Sequence, residues 1–201
     1  MEKYLSSTIQ NIINVTLPMV IVTVVVAVVL RLTYLIKNKE HIILYKELFM
    51  LTFIIYILCL FQVVTIQDTV SWSSNNFIPF KEIMRYDFGS RLFMRNVIGN
   101  VILFVPFGYF VAYILKSGKI YLPLLITLIT SVTIELVQLY IGRVFDIDDI
   151  LLNVVGGIIG YLIYKIITAI GDSLPKVFKN EIFLDILSII ILALVIYVFI
   201  F

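Results

Sequence analysis

Ionisable and amide side chains interrupt an otherwise apolar stretch between Asn96 and Gly160. Glu135 and Gln138 lie inside one apolar run, three residues apart, so they share one face of a helix. A charged side chain in the middle of a membrane span costs about 2.5–3.5 kcal/mol on insertion scales, and such residues are usually functional. Glu135 is therefore a candidate general acid or base.

Two neighbouring apolar runs begin with polar residues at the same kind of spacing. Asn96 and Asn100 are four residues apart at the start of one run. Asp146, Asp149 and Asn153 open another run at spacings of three and four. These spacings place each group on one face of its helix. Asp149 is a second candidate for a catalytic base.

Connectivity predicts that these groups lie at one side of a membrane. The start of the third apolar run, the end of the fourth and the start of the fifth must share that side. Helix N-termini and a nearby arginine, here Arg143, favour a phosphate or a carboxylate as ligand. The predicted ligand-binding residues are Asn100, Glu135, Gln138, Arg143, Asp146, Asp149 and Asn153, with Asn76, Arg91 and Arg95 as further candidates in a preceding loop.

The amino-acid composition indicates that this site lies in a membrane protein. Of 201 residues, 62% are hydrophobic and 14% are charged, whereas soluble domains contain about 45–50% apolar residues. This excludes a soluble enzyme and a disordered chain, and the single cysteine excludes a disulfide scaffold. A net charge of +2 gives no indication of a nucleic-acid partner. With one histidine and no ordered set of ligands, we expect neither a metal site nor a cofactor.

Six apolar runs of about 20 residues predict an all-α integral membrane protein with about six transmembrane helices. The runs cover Ile12–Leu30, which can extend past Arg31 to Ile36, and Leu48–Ile66, Val97–Leu115, Ile120–Ile141, Ile150–Ile167 and Ile182–Phe201. Phe80, Ile83, Met84 and Phe88 recur at helical spacing in the loop Gln67–Arg95. This pattern predicts an amphipathic helix that lies in the membrane interface between the second and third spans. We expect one domain over residues 1–201.

Two local signals refine these elements. The amphipathic segment is expected to end near Gly89, and Ser90 can cap a new helix start. Gly156, Gly157 and Gly160 give the fifth run a face of small residues, which another helix can approach closely.

The distribution of basic residues predicts the orientation in the membrane. The side that contains the loops after the first, third and fifth runs has nine Lys and Arg residues, counting Lys165 near the end of the fifth run, and the opposite side has six. Because cytoplasmic loops carry an excess of basic residues, we expect both termini to lie outside the cytoplasmic membrane. The polar site then faces the outer leaflet, where an anionic lipid headgroup can enter it from the side.

Several short motifs follow one another through this region of the chain. They are Asn76–Phe80 (NFIPF), Asn100–Gly108 (NVILFVPFG), Glu135–Gln138 (ELVQ), Arg143–Asp149 (RVFDIDD), and Asn153 with the glycines Gly156, Gly157 and Gly160. Together they resemble the VanZ-like family of bacterial membrane proteins, with a core at about residues 45–168 and an additional C-terminal helix at 182–201. The founding member of that family is associated with low-level resistance to teicoplanin. The resemblance therefore implies a role in glycopeptide or lipoglycopeptide resistance and implies important positions, but no reaction.

Three functions are compatible with the sequence. The favoured hypothesis is binding of an anionic envelope lipid or a lipid-linked cell-wall intermediate, held by Arg143 and two helix N-termini. An integral-membrane enzyme acting on a lipid phosphate or glycolipid is the alternative, with Glu135 or Asp149 as base. A non-catalytic scaffold, whose polar residues only lock helices together, is the second alternative. A transporter is disfavoured because the fourth and sixth runs show no pair of broken helices, and the sequence indicates no particular protein partner.

Overall fold

The computed structural model describes residues 2–66, 75–173 and 175–200, most of which are helical. The helices are α1 (Glu2–Asn38), α2 (Leu44–Ile66), α3 (Arg91–Phe93), α4 (Gly99–Leu115), α5 (Tyr121–Tyr140), α6 (Ile147–Ser173) and α7 (Glu181–Ile200). A π-helical turn, Met94–Ile98, joins α3 to α4, and short 3-10 helices lie at Ile83–Arg85 and Lys176–Lys179. Within the described ranges the only extended pairing is an isolated parallel bridge between Asn76 and Asp146. The predicted all-α fold is confirmed.

Five of the described helical segments are long and apolar enough to cross a membrane. They are Val20–Asn38, Leu44–Val64, Arg91–Leu115, Tyr121–Tyr140 and Ile147–Gly171, and they correspond to the first five predicted runs. The helices are those of a multi-pass membrane protein. Helix α7 has 20 residues and corresponds to the sixth run. That α7 crosses the membrane stays a prediction, as does the organisation of the chain as one domain.

The contacts within the chain define two compact units, which we describe separately. The first unit contains residues 2–66 and 175–200, and in it α2 packs against both α1 and α7. Arg31 of α1 donates two hydrogen bonds to Glu47 of α2, from Nε to Oε2 at 2.8 Å and from Nη2 to Oε1 at 2.9 Å. This bidentate ion pair fixes the end of α1 against the start of α2.

The second unit contains the described residues from 75 to 173, and α6 is its central helix, packed along α4 and α5. Glycines let the backbones of α4 and α6 approach closely. A Cβ atom added to Gly156 would lie 2.2 Å from the carbonyl oxygen of Val101, and one on Gly160 would lie 2.1 Å from that of Val105. The predicted small-residue face of α6 is thus confirmed as a helix-packing face, and the helix that it receives is α4.

The loop before α3 contains less helix than its apolar spacing predicts. Its described part has one 3-10 turn, Ile83–Arg85, in place of a longer amphipathic helix. Residues 67–74 of the predicted loop lie outside the described residues. Ser90 caps α3 as expected, because its Oγ accepts a hydrogen bond from the backbone N–H of Phe93 at 3.1 Å. The loop therefore has a defined shape immediately before the span that starts at Arg91.

Candidate functional site: the polar cluster at the ends of α4, α5 and α6

The start of α4, the end of α5 and the start of α6 meet at one end of the second unit. The carboxylate of Glu135 in α5 accepts a hydrogen bond at Oε2 from the backbone N–H of Asp146, at 2.9 Å. Asn100 in α4 donates from Nδ2 to Oδ1 of Asp149 in α6, at 2.6 Å. The structure therefore brings together side chains from three helices, as connectivity predicted. A catalytic role for Glu135 or Asp149 stays a prediction.

Three further predicted residues lie beside these contacts. Asn153 is buried and donates from Nδ2 to Oγ of Ser131 in α5, at 2.9 Å. Gln138 is also buried, and its backbone carbonyl accepts from the N–H of Arg143 at 2.9 Å. Arg143 is half-buried and lies close enough to Glu135 to interact with it electrostatically. Arg143 thus supplies positive charge at the edge of a cluster dominated by carboxylates.

The segment around Asn76 is tied to the N-terminus of α6. Asn76 forms the parallel bridge, donating its N–H to the carbonyl of Phe145 at 2.8 Å and accepting from the N–H of Ile147 at 3.1 Å. Its side-chain Nδ2 donates to Oδ1 of Asp146 at 2.8 Å. These bonds bring a loop residue 70 positions away in sequence into the cluster.

Asp146 caps the first turn of α6. Its Oδ1 accepts from the backbone N–H of Asp148 at 2.9 Å, in addition to the bond from Asn76. Burial raises the pKa of the Asp146 carboxyl above its ordinary value, and these two hydrogen bonds oppose the rise because they stabilise the carboxylate. Asp146 therefore holds both the helix start and the Asn76 segment.

Asp148 is a central residue of the cluster that sequence reasoning missed. Its side chain is only 1% exposed, and its carboxylate accepts backbone N–H groups from Phe80 at Oδ1 and from Glu82 and Ile83 at Oδ2. Phe80 has a φ of +67°, a left-handed conformation that is unfavourable for a bulky residue. From the sequence alone, Asp148 is expected to be an ordinary acidic residue in the first turn of a helix. The available signal was the presence of three acids within four positions, more than capping requires.

A small acidic cavity lies between the cluster and the loop. Its volume is about 20 Å³, enough for about one water molecule. The polar residues of its lining are Glu82, Tyr86, Asn96, Asp146, Asp148 and Asp149. Four of these six side chains are carboxylic acids, so the cavity favours hydrogen-bond donors over a phosphate. Among the described residues no group of His, Cys, Asp and Glu side chains has the geometry of a metal site.

Arg91 and Arg95 lie apart from this cavity. Both side chains are exposed, at the start of α3 and in the π-helical turn, and neither lines the cavity. That Arg91 and Arg95 contribute to ligand binding stays a prediction. Arg143 is the arginine that lies beside the cluster carboxylates.

Comparison with known proteins places this arrangement in a family. The family model described as VanZ/LLP1 matches residues 49–168, which include α4, α5 and most of α6. Protein VanZ of Enterococcus faecium is 34% identical over 71 residues, which are 35% of this chain and 44% of that protein. The alignment thus spans less than half of that relative. No solved structure gives a significant match. The family match covers more than half of the chain, and the chain belongs to the VanZ/LLP1 family.

Proposed function

We propose that this protein contributes to resistance against glycopeptide or lipoglycopeptide antibiotics from the bacterial cytoplasmic membrane. Membership of the VanZ/LLP1 family supports this role. In the proposed arrangement α7 is a sixth membrane span, both termini are outside, and the loop before α3 lies in the interface. The excess of basic residues in the alternate loops supports this orientation. It puts the polar cluster at the outer leaflet, on the side where cell-wall precursors are used.

The ligand that we propose is the headgroup of an anionic envelope lipid or of a lipid-linked cell-wall intermediate. The observation that carries this proposal is the convergence of Asn100, Asp149 and Glu135 from α4, α6 and α5, with Arg143 beside them. A half-buried arginine among polar groups at a membrane surface is suited to a phosphate.

The shape and charge of the cavity refine how such a ligand binds. A cavity that holds about one water molecule is too small for a phosphate, and its lining acids offer a phosphate few hydrogen-bond donors. We therefore assign the phosphate to Arg143 at the edge of the cluster. Hydroxyl or amine groups of the headgroup donate to the acceptors of the lining, of which Asp149 and Asn96 are examples.

The test compares Arg143→Gln with Lys119→Gln, which removes one charge from the exposed connection between α4 and α5 at the other end of these helices. Both variants are expressed in a susceptible host, and membrane abundance, antibiotic susceptibility and co-purifying lipids are measured, the last by mass spectrometry. We expect Arg143→Gln to lose resistance and anionic lipid at normal abundance, while Lys119→Gln retains both. Full resistance with unchanged lipid in Arg143→Gln would contradict the proposal.

The internal bonding of the cluster favours a second candidate function, a non-catalytic scaffold. Asp148 accepts three backbone N–H groups, Glu135 accepts one, and Asn153 bonds Ser131, so these side chains are already engaged in holding helices and loop together. A scaffold predicts that Glu135→Gln lowers the thermal midpoint and leaves the co-purifying lipids unchanged. The lipid-binding proposal predicts that the same variant also changes the lipids that remain bound.

A further inference from the structure

The segment 80–95 carries exposed apolar side chains outside the middle of any span. Met84 is 81% exposed and Phe88 is 92% exposed, and Phe80 and Leu92 are also exposed. Its last five residues begin the helical stretch Arg91–Leu115, which is long and apolar enough to cross a membrane. Its apolar side chains therefore lie within a few residues of the lipid.

Hydrogen bonds hold the backbone of this segment in place on both sides of Met84 and Phe88. Asp148 binds the backbone N–H groups of Phe80, Glu82 and Ile83, and Ser90 caps α3. The exposure of Met84 and Phe88 is thus a property of the folded loop.

Basic side chains alternate with the apolar ones along the same segment. Lys81, Arg85, Arg91 and Arg95 are all exposed, against two acidic residues, Glu82 and Asp87. Arg85 forms an ion pair with Glu82 at 3.2 Å. In the described part of the chain no ion pair engages Lys81, Arg91 or Arg95. Exposed cations beside exposed apolar groups, immediately next to a membrane span, complement an anionic lipid surface.

We propose that the segment 80–95 is a contact surface for anionic phospholipids, separate from the polar cluster. Met84 and Phe88 lie among the acyl chains, and Lys81, Arg91 and Arg95 bind the phosphate groups. This inference rests on the interfacial position of the loop that is part of the proposed function. It also gives the four basic residues of this loop a role other than orienting the protein in the membrane.

The experiment uses the full chain with a single tryptophan reporter. Trp72 is the one tryptophan of the sequence, and the parent variant combines Trp72→Phe with Phe88→Trp, which replaces a side chain that is 92% exposed. The protein is reconstituted in mixed phosphatidylcholine and phosphatidylglycerol nanodiscs in which either lipid carries brominated acyl chains. Fluorescence quenching then measures which lipid contacts position 88.

We expect brominated phosphatidylglycerol to quench at least about twofold more than brominated phosphatidylcholine at equal mole fraction. Arg91→Gln with Arg95→Gln in this parent should bring the ratio close to one. The matched control, Lys116→Gln with Lys119→Gln, removes the same charge from the connection between α4 and α5 and should leave the ratio unchanged.

Two results would overturn the proposal. Absence of quenching by either lipid would place position 88 in water or against a protein partner. A ratio of phosphatidylglycerol to phosphatidylcholine quenching near one in the parent variant would show that the contact does not depend on headgroup charge. Neither result bears on Arg143, because its test measures resistance and co-purifying lipid. The two proposals, lipid contact by the segment 80–95 and ligand binding by the polar cluster, can therefore fail independently.

Discussion

Among single residues, Asp148 is expected to contribute strongly to the stability of the fold. Its two carboxylate oxygens accept three backbone N–H groups and its side chain is 1% exposed. In Asp148→Asn an amide NH₂ replaces one acceptor and faces backbone donors, which leaves a buried donor unpaired. We expect the free energy of unfolding to fall by about 2–3 kcal/mol and the thermal midpoint to fall by about 4–12 °C. Asp87→Asn, at an exposed position, is the control, and equal midpoints for both variants would contradict the role assigned to Asp148.

The same substitution two residues earlier should behave differently. The Oδ1 atom of Asp146 is its acceptor for both Asn76 and the N–H of Asp148, and an asparagine oxygen can replace it. Burial raises the pKa of Asp146, so the folded state holds this proton more tightly than the unfolded state does. The contribution of this carboxyl to stability is therefore complete below its unfolded pKa and is lost as the pH rises through its folded pKa.

We expect Asp146→Asn to weaken the pH dependence of the thermal midpoint as the pH rises above about 4, the ordinary pKa of an aspartate, and to match or exceed the wild-type midpoint once the wild-type carboxyl is ionised. Thermal unfolding in detergent at several pH values measures this. Asp87→Asn should retain the wild-type pH profile. A large loss of stability in Asp146→Asn at every pH would show that the carboxylate itself is needed there.

The sequence predicted which helix ends meet at the site, but it did not predict the individual hydrogen bonds between their side chains. Spacing placed Asn100, Glu135 and Asp149 on defined faces, and connectivity placed those faces at one end. The individual bonds, such as that from Asn100 to Asp149, depend on the rotation of each helix about its axis, which a single sequence does not determine. Asp148 was missed because its three donors lie in a loop 65–68 positions away.

Among the elements, α6 contains two glycines, Gly160 and Gly171, whose surroundings differ and whose replacement by alanine can be compared. A Cβ atom on Gly160 would meet backbone atoms of α4, the carbonyl oxygen of Val105 at 2.1 Å and the nitrogen of Tyr109 at 2.6 Å. One on Gly171 would meet no atom within 4 Å. We expect Gly160→Ala to lower the free energy of unfolding by about 1–3 kcal/mol or more, because neither backbone can move alone. Gly171→Ala should be neutral or raise it by up to about 1 kcal/mol through helix propensity.

Thermal unfolding of the two variants checks this prediction. The comparison is controlled because both variants replace a glycine of α6 by alanine in the same protein. Equal stability of Gly160→Ala and Gly171→Ala would contradict the close approach of α4 and α6. A resistance assay on Gly160→Ala adds a second readout, since separation of these helices should also disturb the contact between Asn100 and Asp149.

Hydropathy predicted the long helices well and the loop poorly, for a physical reason. Continuous apolar runs set the length of a membrane helix, and α5 was predicted at Ile120–Ile141 and lies at Tyr121–Tyr140. In the loop, the helical spacing of apolar residues competes with the bonds that Asp148 makes to the backbone. The left-handed conformation of Phe80 is incompatible with a continuous helix through that point.

The distribution of basic residues over the chain predicts which membrane face carries the polar cluster. Nine basic residues against six favour both termini outside. If the segment 80–95 uses its basic residues to bind anionic lipid, these residues belong to lipid recognition, and the remaining count favours the same orientation more strongly. Both proposals about this end of the molecule thus lead to one topological expectation.

We expect a cysteine at Asp87 to face the outside and a cysteine at Gly118 to face the cytoplasm. Both positions are exposed, and Cys59→Ala removes the one native thiol and serves as the unlabelled control. A membrane-impermeant maleimide applied to intact cells should label Asp87→Cys at once and Gly118→Cys only after permeabilisation. A C-terminal cysteine should also be labelled from outside if α7 is a sixth span. The reverse pattern would put the polar cluster at the cytoplasmic leaflet, and a ligand drawn from the outer leaflet would then be excluded whatever Arg143 contributes.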